Sequence, residues 1–533
     1  MMLQMSGVGT HDLDAEAGAR RSVDVVTLTC CLVVAAPLVV AAVRLWNAHP
    51  VAVSDVAIIE LQAHDVGVHT PLVGPQSRFG FSHPGPALFY WLAPFIRMFE
   101  NNGSLLAAVV FNSAMFVAVV RIARKVGSET LAVVMAIAIV LFERSSLAQL
   151  VDAWNPWIAL SAFLAFAVGA WGCACGQWSS VPVTVLAGSF ALQTHVGYVY
   201  LMASIGIVVM VMTVKNWHRS ARGPMVIAGV IGVAMWIPVV IDQLSGDQNL
   251  SKIWSVQRAS DEPRIGFRLG AEMIAHPVGA NFEWIWGRLD ALFLPIAPLW
   301  WLVPVLLCWL AAIGVALRGG RHRQALLLIL CCVMTAAGWW SFAEILGLPY
   351  PYLGRWAILI SMLGLVGVTW CVVDVIQVSQ RTRRVALQSV SVAGLCLALV
   401  VGLMVEPKLN LTEDLVGHIR NDLIAATEGD DVIGIRFDSP FPIFGEHLAA
   451  GNQLTQAGHT VVFLNLLNCS QTFASVHCTE GHYDRELIVA VGDRVEALRS
   501  QHAGAVIVSW TPEAIDVDLH RVPIAVFDVA SGT

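Results

Sequence analysis

The chain has 533 residues, of which 57% are hydrophobic and only 13% are charged. Soluble globular domains carry about 25% charged residues, so this composition excludes an ordinary soluble protein and indicates a membrane protein. The net charge of -7 is unevenly spread, because residues 406–533 hold 18 acidic and 7 basic side chains. An acidic exposed part argues against nucleic acid as a partner.

The N-terminal region and the apolar runs define the membrane part. Residues 1–24 are predicted to form a cytoplasmic tail, without the cleavage site of a signal peptide. The stretch 181–214 has no Lys, Arg, Asp or Glu but is too long for one span, so we divide it at Gln193–Gly197. Residues 25–405 then predict about eleven transmembrane helices. Their approximate positions are 25–43, 104–120, 129–142, 157–175, two within 181–214, 223–240, 296–317, 324–342, 355–375 and 385–405.

Basic side chains predict the orientation. They cluster in alternate short loops, namely Arg20/Arg21, Arg121/Arg124/Lys125, Lys215/Arg219/Arg222, Arg318/Arg321/Arg323 and Arg381/Arg383/Arg384. Such clusters stay cytoplasmic. We therefore expect a multi-pass protein of the plasma (inner) membrane whose large loops 44–103 and 241–295 lie outside, together with the C-terminal part.

Residues 406–533 are predicted to form a soluble, extracytoplasmic α/β domain. Strand-like runs at 432–437, 460–465, 487–492, 505–510 and 524–529 alternate with helical patterns at 412–427, 445–457 and 493–502. This alternation is typical of a mostly parallel sheet. Cys469 and Cys478 are expected to form a disulfide there, whereas the other nine cysteines lie in or next to apolar runs and fit core positions.

The first large loop carries the strongest functional pattern. Asp55 follows the first span, and a helix from Asp55 to Val66 would turn Glu60 about 140° away from it, so the two carboxylates need not share a face. A Gly/Pro-rich turn with Arg78 and His83 comes next. Residues 85–99 are apolar, aromatic and broken by prolines, which predicts a helix lying in the membrane interface.

An acid soon after the first span, followed by the stretch HPGPALFYWL at residues 83–92, resembles the GT-C superfamily of integral membrane glycosyltransferases. The aminoarabinose transferase and protein O-mannosyltransferase branches are the most similar, together with actinobacterial forms that have a C-terminal soluble domain. The resemblance covers roughly the first 360 residues as a topology. Those branches carry an acidic pair where this chain has Ser54 and Asp55, so only Asp55 matches.

The resemblance implies transfer of a sugar from a polyprenyl-phosphate donor to a cell-envelope acceptor, with inversion and with Asp55 as the general base. The leaving phosphate would need cationic or hydrogen-bonding partners. Arg78 and His83 are candidates for that role, and Glu60 for assisting substrate binding. The sugar, the acceptor (glycan, lipid or protein) and a divalent-metal requirement stay open, and no cofactor is predicted.

Other polar side chains near the predicted outer ends of spans are further candidates for substrate binding. They are Asp152, Asn155, His195, Tyr198, Asp242, Gln243 and Arg355. Several of them, but not Asp152, also have a structural explanation. Asn155 precedes a proline and fits a helix cap, His195 fits a satisfied core histidine, Asp242 a solvated helix end, and Arg355 can reach lipid headgroups.

The sequence has no metal-ligand spacing, no Walker loop and, in the C-terminal part, no G-x-G-x-x-G. Two other functions remain open, a transporter or flippase of lipid-linked glycan and a non-catalytic scaffold that binds cell-wall polymer. A transporter is disfavoured because such proteins usually keep their polar residues at the membrane midplane and show repeats.

Overall fold

Eleven apolar helices form a bundle in the computed structural model, which describes residues 10–48, 51–215, 219–280, 282–286, 293–376, 379–405, 411–438, 445–465, 478, 483–491, 493–501, 506–510 and 523–529. Within those residues, nine helical segments are long and apolar enough to cross a membrane. Two shorter helices complete the set. The protein is therefore a multi-pass membrane protein, as predicted.

The bundle helices follow the predicted spans closely. They are α1 (Thr10–Leu45), α4 (Gly103–Val126), α5 (Glu129–Leu150), α6 (Asn155–Ala174), α7 (Val181–Thr194), α8 (Val199–Lys215), α9 (Arg222–Ser245), α13 (Leu302–Arg318), α14 (His322–Ala343), α15 (Ala357–Val375) and α16 (Gln380–Leu403). The division of 181–214 is confirmed, because His195 adopts an extended conformation (φ -152°, ψ 112°) that ends α7. Ser128 caps the start of α5 by accepting the Leu131 N–H.

Five shorter helices lie at one end of the bundle, which we call the cavity end. They are α2 (Ser54–His64), α3 (Ala87–Phe99), α10 (Asn249–Ala259), α11 (Gly266–Val278) and α12 (Glu283–Trp286). Helix α3 is separate from α4, as predicted for residues 85–99. Glu100 between them has φ +48°, and a Cβ at Gly103 would lie 2.5 Å from the Ile96 Cα, so α3 folds tightly back on α4.

The opposite end of the bundle, the basic end, gathers the positively charged loops. Arg323 donates to the Val126 carbonyl at 2.8 Å. Arg383 donates to Thr130 Oγ1 at 2.6 Å and pairs with Asp374 at 2.9 Å. Loops predicted to share the cytoplasmic side thus share one end of the bundle.

The C-terminal part folds as an α/β domain, which we call the tail. Its described elements are α17 (Leu411–Ala426), β1 (Val432–Asp438), α18 (Glu446–Gln456), β2 (Thr460–Phe463), β3 (Arg485–Val491), α19 (Asp493–Gln501), β4 (Val506–Trp510) and β5 (Ile524–Val529). The strand order is β2-β1-β3-β5-β4. The predicted elements are confirmed, and so is the mostly parallel sheet, because four of the five strands run in one direction and only β5 runs against them. Strand β1 pairs in parallel with β2 and β3, whereas β5 pairs antiparallel with β3 and β4. Cys478 is disulfide-bonded, and Cys469 lies outside the described residues.

The hydrophobic core of the tail includes part of the first loop. Val51, Ala57 and Leu61 are buried in the same cluster as Leu423 of α17 and Leu448 of α18. Because Ala57 and Leu61 belong to α2, the tail is packed directly onto the helix that begins next to Asp55.

Candidate active site

A cavity of about 860 Å³ opens at the cavity end of the bundle. Its wall combines segments that are distant in sequence. They are Asp55, Ile58 and Ile59 of α2, residues 75–81 with His83, residues 154–156, residues 195–207 in part, four residues of α10, the end of α14 through Leu346, and Tyr352 with Leu353. Five predicted site residues therefore meet on one surface, namely Asp55, Arg78, His83, Asn155 and His195. This volume lies within the range that is usual for small-molecule binding sites.

Asp55 stands in the first turn of α2, directly after Ser54, whose φ is +50°. Its Oδ2 accepts a hydrogen bond of 3.1 Å from the Trp154 Nε1–H. The carboxylate is reached by solvent through the cavity, yet protein surrounds it on most sides. This burial raises the pKa of Asp55, and the Trp154 hydrogen bond offsets part of that rise. A carboxyl group with a raised pKa is a better proton acceptor, as a general base requires.

His83 and His195 form a pair of imidazoles at the cavity wall, with ring centroids 4.7 Å apart. His83 Nδ1 accepts the Val196 N–H at 3.2 Å, and His195 Nδ1 accepts the Gly197 N–H at 3.2 Å. Burial and the neighbouring His195 hold the pKa of His83 well below its usual value. Since each Nδ1 accepts a hydrogen bond, a neutral ring carries its proton on Nε2. The pair therefore offers a ligand hydrogen-bond donors without a full charge.

Arg78 links the first loop to the segment before α15. Its guanidinium donates to the carbonyls of Leu346 and Leu348 at 2.7 and 2.9 Å. It also lies 4.8 Å from the Phe79 ring centroid and 5.0 Å from that of Tyr350. These contacts fix a cation at the cavity wall, where it can face an anionic substrate.

One side of the cavity is apolar. Helix α8 contributes Val199, Ala203 and Ile207, and α10 contributes Leu250 and Trp254. Ile207 and Trp254 are 62% and 63% exposed. In a bilayer, exposed apolar side chains on this side face lipid tails, so the cavity has an apolar approach suited to a lipid chain.

Two cavity residues were missed by the sequence analysis. Trp154, which donates a hydrogen bond to Asp55, precedes the candidate Asn155 by one position, and that proximity was the only signal for it in the sequence. Glu344 ends α14, pairs with Arg264 and accepts from Gln257 Nε2 at 3.2 Å. A lone acid at the end of a span was the available signal for Glu344.

Asn155 lines the cavity but does not cap α6. Its Nδ2 donates to the Thr194 carbonyl at 3.2 Å, and no side-chain hydrogen bond caps this helix. The bond joins the start of α6 to the end of α7. Asn155 therefore helps to fix the break that presents His195.

The structure places six other predicted residues outside the cavity wall, namely Glu60, Asp152, Tyr198, Asp242, Gln243 and Arg355. Several support residues that do line it. Asp152 Oδ1 accepts the Trp154 N–H at 2.8 Å, and burial raises the pKa of Asp152 to about 6 despite that bond. Tyr198 is buried against Phe163, with centroids 5.1 Å apart.

The remaining members of this group act at helix ends and at the tail. Asp242 Oδ2 accepts the Asn249 N–H at 2.8 Å, and Asn249 in turn donates to the Ser82 carbonyl beside His83. Gln243 donates to Ser251 Oγ at 2.8 Å. The Arg355 guanidinium lies 5.7 Å from the Trp157 centroid. Glu60 of α2 is buried where this helix contacts the tail.

Among the described residues, no group of three or more His, Cys, Asp or Glu side chains is arranged to hold a metal ion. The polar groups on the cavity wall include instead two carboxylates, two imidazoles, one arginine and three side-chain amides, namely Asp55, Glu344, His83, His195, Arg78, Gln76, Asn155 and Gln257. This set can accept a proton at one point and bind an anion at others.

The eleven-helix bundle with its α/β tail defines a polytopic membrane protein of the ArnT-like fold, and the predicted polytopic helical architecture with a C-terminal α/β domain is confirmed. One solved structure with this fold is ArnT from Cupriavidus metallidurans bound to undecaprenyl phosphate. It is 11% identical, with a TM-score of 0.53, over 93% of this chain and 97% of that one. The apo state of the same ArnT is 14% identical, with a TM-score of 0.50, over 92% and 97%. No protein-family model and no curated protein sequence matches the chain. At these identities the likeness establishes the fold.

Proposed function

We propose that the chain is a membrane glycosyltransferase that transfers a sugar from a polyprenyl-phosphate donor to a cell-envelope acceptor, with inversion. The observation that carries this proposal is the position of Asp55, a carboxylate of raised pKa on the wall of a large cavity within an ArnT-like fold. One protein of that fold holds undecaprenyl phosphate, which supports a donor of this chemical class.

The polar side chains on the cavity wall can each take a role in such a reaction. The acceptor hydroxyl attacks the anomeric carbon while Asp55 takes up its proton. The bond from that carbon to the donor phosphate oxygen breaks, and the phosphate leaves with its electron pair. His83 and His195 donate hydrogen bonds to the leaving phosphate, and Arg78 lowers the energy of its negative charge. The polyprenyl chain follows the apolar side formed by α8 and α10.

The reaction takes place on the extracytoplasmic face in this proposal. The basic end would then be cytoplasmic, in keeping with the positive-inside rule. Residues 1–24 form the cytoplasmic tail, 25–405 the membrane domain and 406–533 the extracytoplasmic domain. The cavity end opens to the outer surface, where a cell-envelope acceptor is found.

Substitution of the proposed base tests the function. Asp55→Asn keeps the size of the side chain and removes its ability to accept a proton. We expect kcat for transfer from a radiolabelled polyprenyl-phosphate sugar in membranes to fall by roughly 100-fold or more. Asp261→Asn, at an exposed acid that does not line the cavity, is the matched control and retains transfer.

Two results would contradict the proposal in different ways. Full transfer by Asp55→Asn would remove Asp55 as the base. Absence of transfer by the wild type with every polyprenyl-phosphate sugar would instead favour the transporter or scaffold functions.

A further inference from the structure

Helix α2 has two functional faces. Asp55, Ile58 and Ile59 line the cavity. Ala57 and Leu61, which are 0% and 1% exposed, are part of the core of the tail. The helix that carries the proposed base is therefore held between the membrane domain and the tail.

Glu60 forms the polar centre of the contact between α2 and the tail. It is 2% exposed. Its Oε1 accepts a hydrogen bond from Ser104 Oγ of α4. Its Oε2 accepts bonds of 2.6 Å from Asn452 Nδ2 and 3.2 Å from Gln456 Nε2, both on α18. One carboxylate thus joins α2 to α4 and α18 simultaneously, and a bound carboxylate fixes its donors in direction as well as in distance.

A second contact lies directly beside the proposed base. Gly445 precedes α18 with φ +72°. A Cβ at this position would lie 2.9 Å from the Ser54 Cα and 3.0 Å from the Ser54 nitrogen. The start of α18 therefore touches the backbone one residue before Asp55, where Ser54 adopts φ +50°. A left-handed conformation at a non-glycine residue costs about 1 kcal/mol or more and persists when its surroundings hold it.

We propose that the tail positions Asp55 and that Glu60 is a positioning residue. Glu60 connects α2 to the tail by accepting hydrogen bonds from Asn452 and Gln456 of α18. This inference rests on the proposed transfer reaction. Glu60 does not line the cavity and touches no reacting atom. Its effect is transmitted along the single turn of α2 between Asp55 and Glu60.

The proposal predicts a change in turnover with little change in donor binding. Misplacement of a reacting group by about 1 Å can lower a rate roughly 100-fold. The donor is bound by the cavity wall outside α2, including His83 and Arg78. Loss of the tail contact should therefore lower kcat and leave KM for the donor nearly unchanged.

Neighbouring residues of α18 provide a matched pair of variants in the full-length protein. Asn452→Ala removes a donor to Glu60. Gln453→Ala removes the 3.0 Å bond from Gln453 Nε2 to Asn101 Oδ1, which is equally buried but attaches the tail to the α3–α4 connection. We expect Asn452→Ala to lower kcat by roughly 10- to 100-fold, and Gln453→Ala to change kcat by less than about twofold. Equal losses in both variants, or no loss in either, would overturn the proposal.

A rescue experiment separates positioning from general damage. Asn452→Asp replaces the amide donor with a second buried carboxyl beside Glu60, whose pKa burial already raises to about 7. The two acids cannot both ionise there, so the fixed amide hydrogen bond is lost and kcat should fall. When Asn452→Asp is combined with Glu60→Gln, the amide at position 60 can donate to the carboxylate at position 452. The hydrogen bond is then restored in the opposite direction, so the double variant should recover most of the lost kcat. A double variant that is as slow as Asn452→Asp alone would contradict the proposed contact.

Hydrogen exchange gives a readout that does not depend on activity. In detergent-purified protein, peptides covering α2 should exchange faster in Asn452→Ala than in wild type, while those of α14 remain unchanged. Gln453→Ala should leave the exchange of α2 as in wild type. If the wild type transfers no sugar but α2 exchanges faster in Asn452→Ala as expected, the proposed function fails while the proposed positioning of α2 by the tail is supported. If α2 exchanges equally in both variants, the proposed positioning is wrong.

Discussion

At the scale of single residues, the proposed chemistry depends on the balance of two effects at Asp55. Burial favours the protonated acid, and the hydrogen bond from Trp154 Nε1 favours the carboxylate. A base must be ionised before it can accept a proton, yet a higher pKa makes it a stronger acceptor. Trp154, whose backbone N–H donates to Asp152, should therefore help to set the pH at which the proposed base is ionised.

Trp154→Phe should move the acidic limb of the kcat/KM profile to higher pH. The variant keeps an aromatic ring and removes the N–H that stabilises the carboxylate, so the pKa of Asp55 rises and the base becomes protonated at a higher pH. The measurement is the pH dependence of kcat/KM. Trp157→Phe, which changes the adjacent ring 5.2 Å away, should leave the limb where it is in the wild type. An unshifted limb in Trp154→Phe would show that another group titrates.

Sequence reasoning found Asp55 but not the contacts of Glu60. The position of Asp55 after the first span is a local pattern, and local patterns can be read from one sequence. One partner of Glu60 is Asn452, 392 residues further along the chain, and nothing near Glu60 in the sequence indicates it. Similarly, Asp242 was a candidate for substrate binding, whereas its carboxylate accepts a hydrogen bond from Asn249, which in turn donates to the first loop.

At the scale of elements, the break between α7 and α8 and the turn before α3 form one unit. The Gly85 N–H donates to the Gln193 carbonyl at 3.3 Å, and the Gly74 N–H donates to the His83 carbonyl at 2.9 Å. These bonds bring His83 to His195. The two imidazoles are thus placed by backbone contacts between segments that are each too short to be stable alone.

Gly74→Ala should disturb this unit. A Cβ there would lie 2.5 Å from the Gly85 carbonyl oxygen and 2.8 Å from that of Gln193, and backbone oxygens cannot move aside without breaking the turn. We expect a lower melting temperature in detergent and a loss of transfer activity. Gly229→Ala in α9, where a Cβ meets nothing within 4 Å, should melt at or slightly above the wild-type temperature. Wild-type melting of Gly74→Ala would contradict the tight packing.

The elements were more predictable than their arrangement. Apolar length marks a span and alternation marks a strand, so both could be predicted from the sequence. Strand direction depends on connections and on pairing between distant segments. The position of β5 between β3 and β4, antiparallel to both, left no local signal.

At the scale of the whole molecule, the basic loops and the cavity lie at opposite ends of the helix bundle. Exposed Ser179 lies at the basic end, 3.4 Å from Lys125, and exposed Asp261 follows α10 at the cavity end. The proposed orientation places the first inside the cell and the second outside. This separation allows the orientation to be measured directly.

Single cysteines at these two positions should react differently with a membrane-impermeant maleimide applied to intact cells. We expect labelling of Asp261→Cys in intact cells, and labelling of Ser179→Cys only after the membrane is opened. The unsubstituted protein gives the background from its own cysteines. The reverse pattern would invert the topology and place the cavity in the cytoplasm.

The packing of the tail onto α2 also sets an order of events during synthesis. Helix α2 is translated early, and Asn452 follows Glu60 by 392 residues, which takes a ribosome roughly 20 to 80 s at 5–20 residues per second. During that interval the tail has not yet been made, so Ala57 and Leu61 cannot pack into its core while the spans are inserted. The last domain to be made thus covers this face of the first loop, and under the proposed role of the tail the site is complete only after α18 has been made. If the tail positions Asp55 as proposed, a premature stop before α18 should lower transfer even with every span in place.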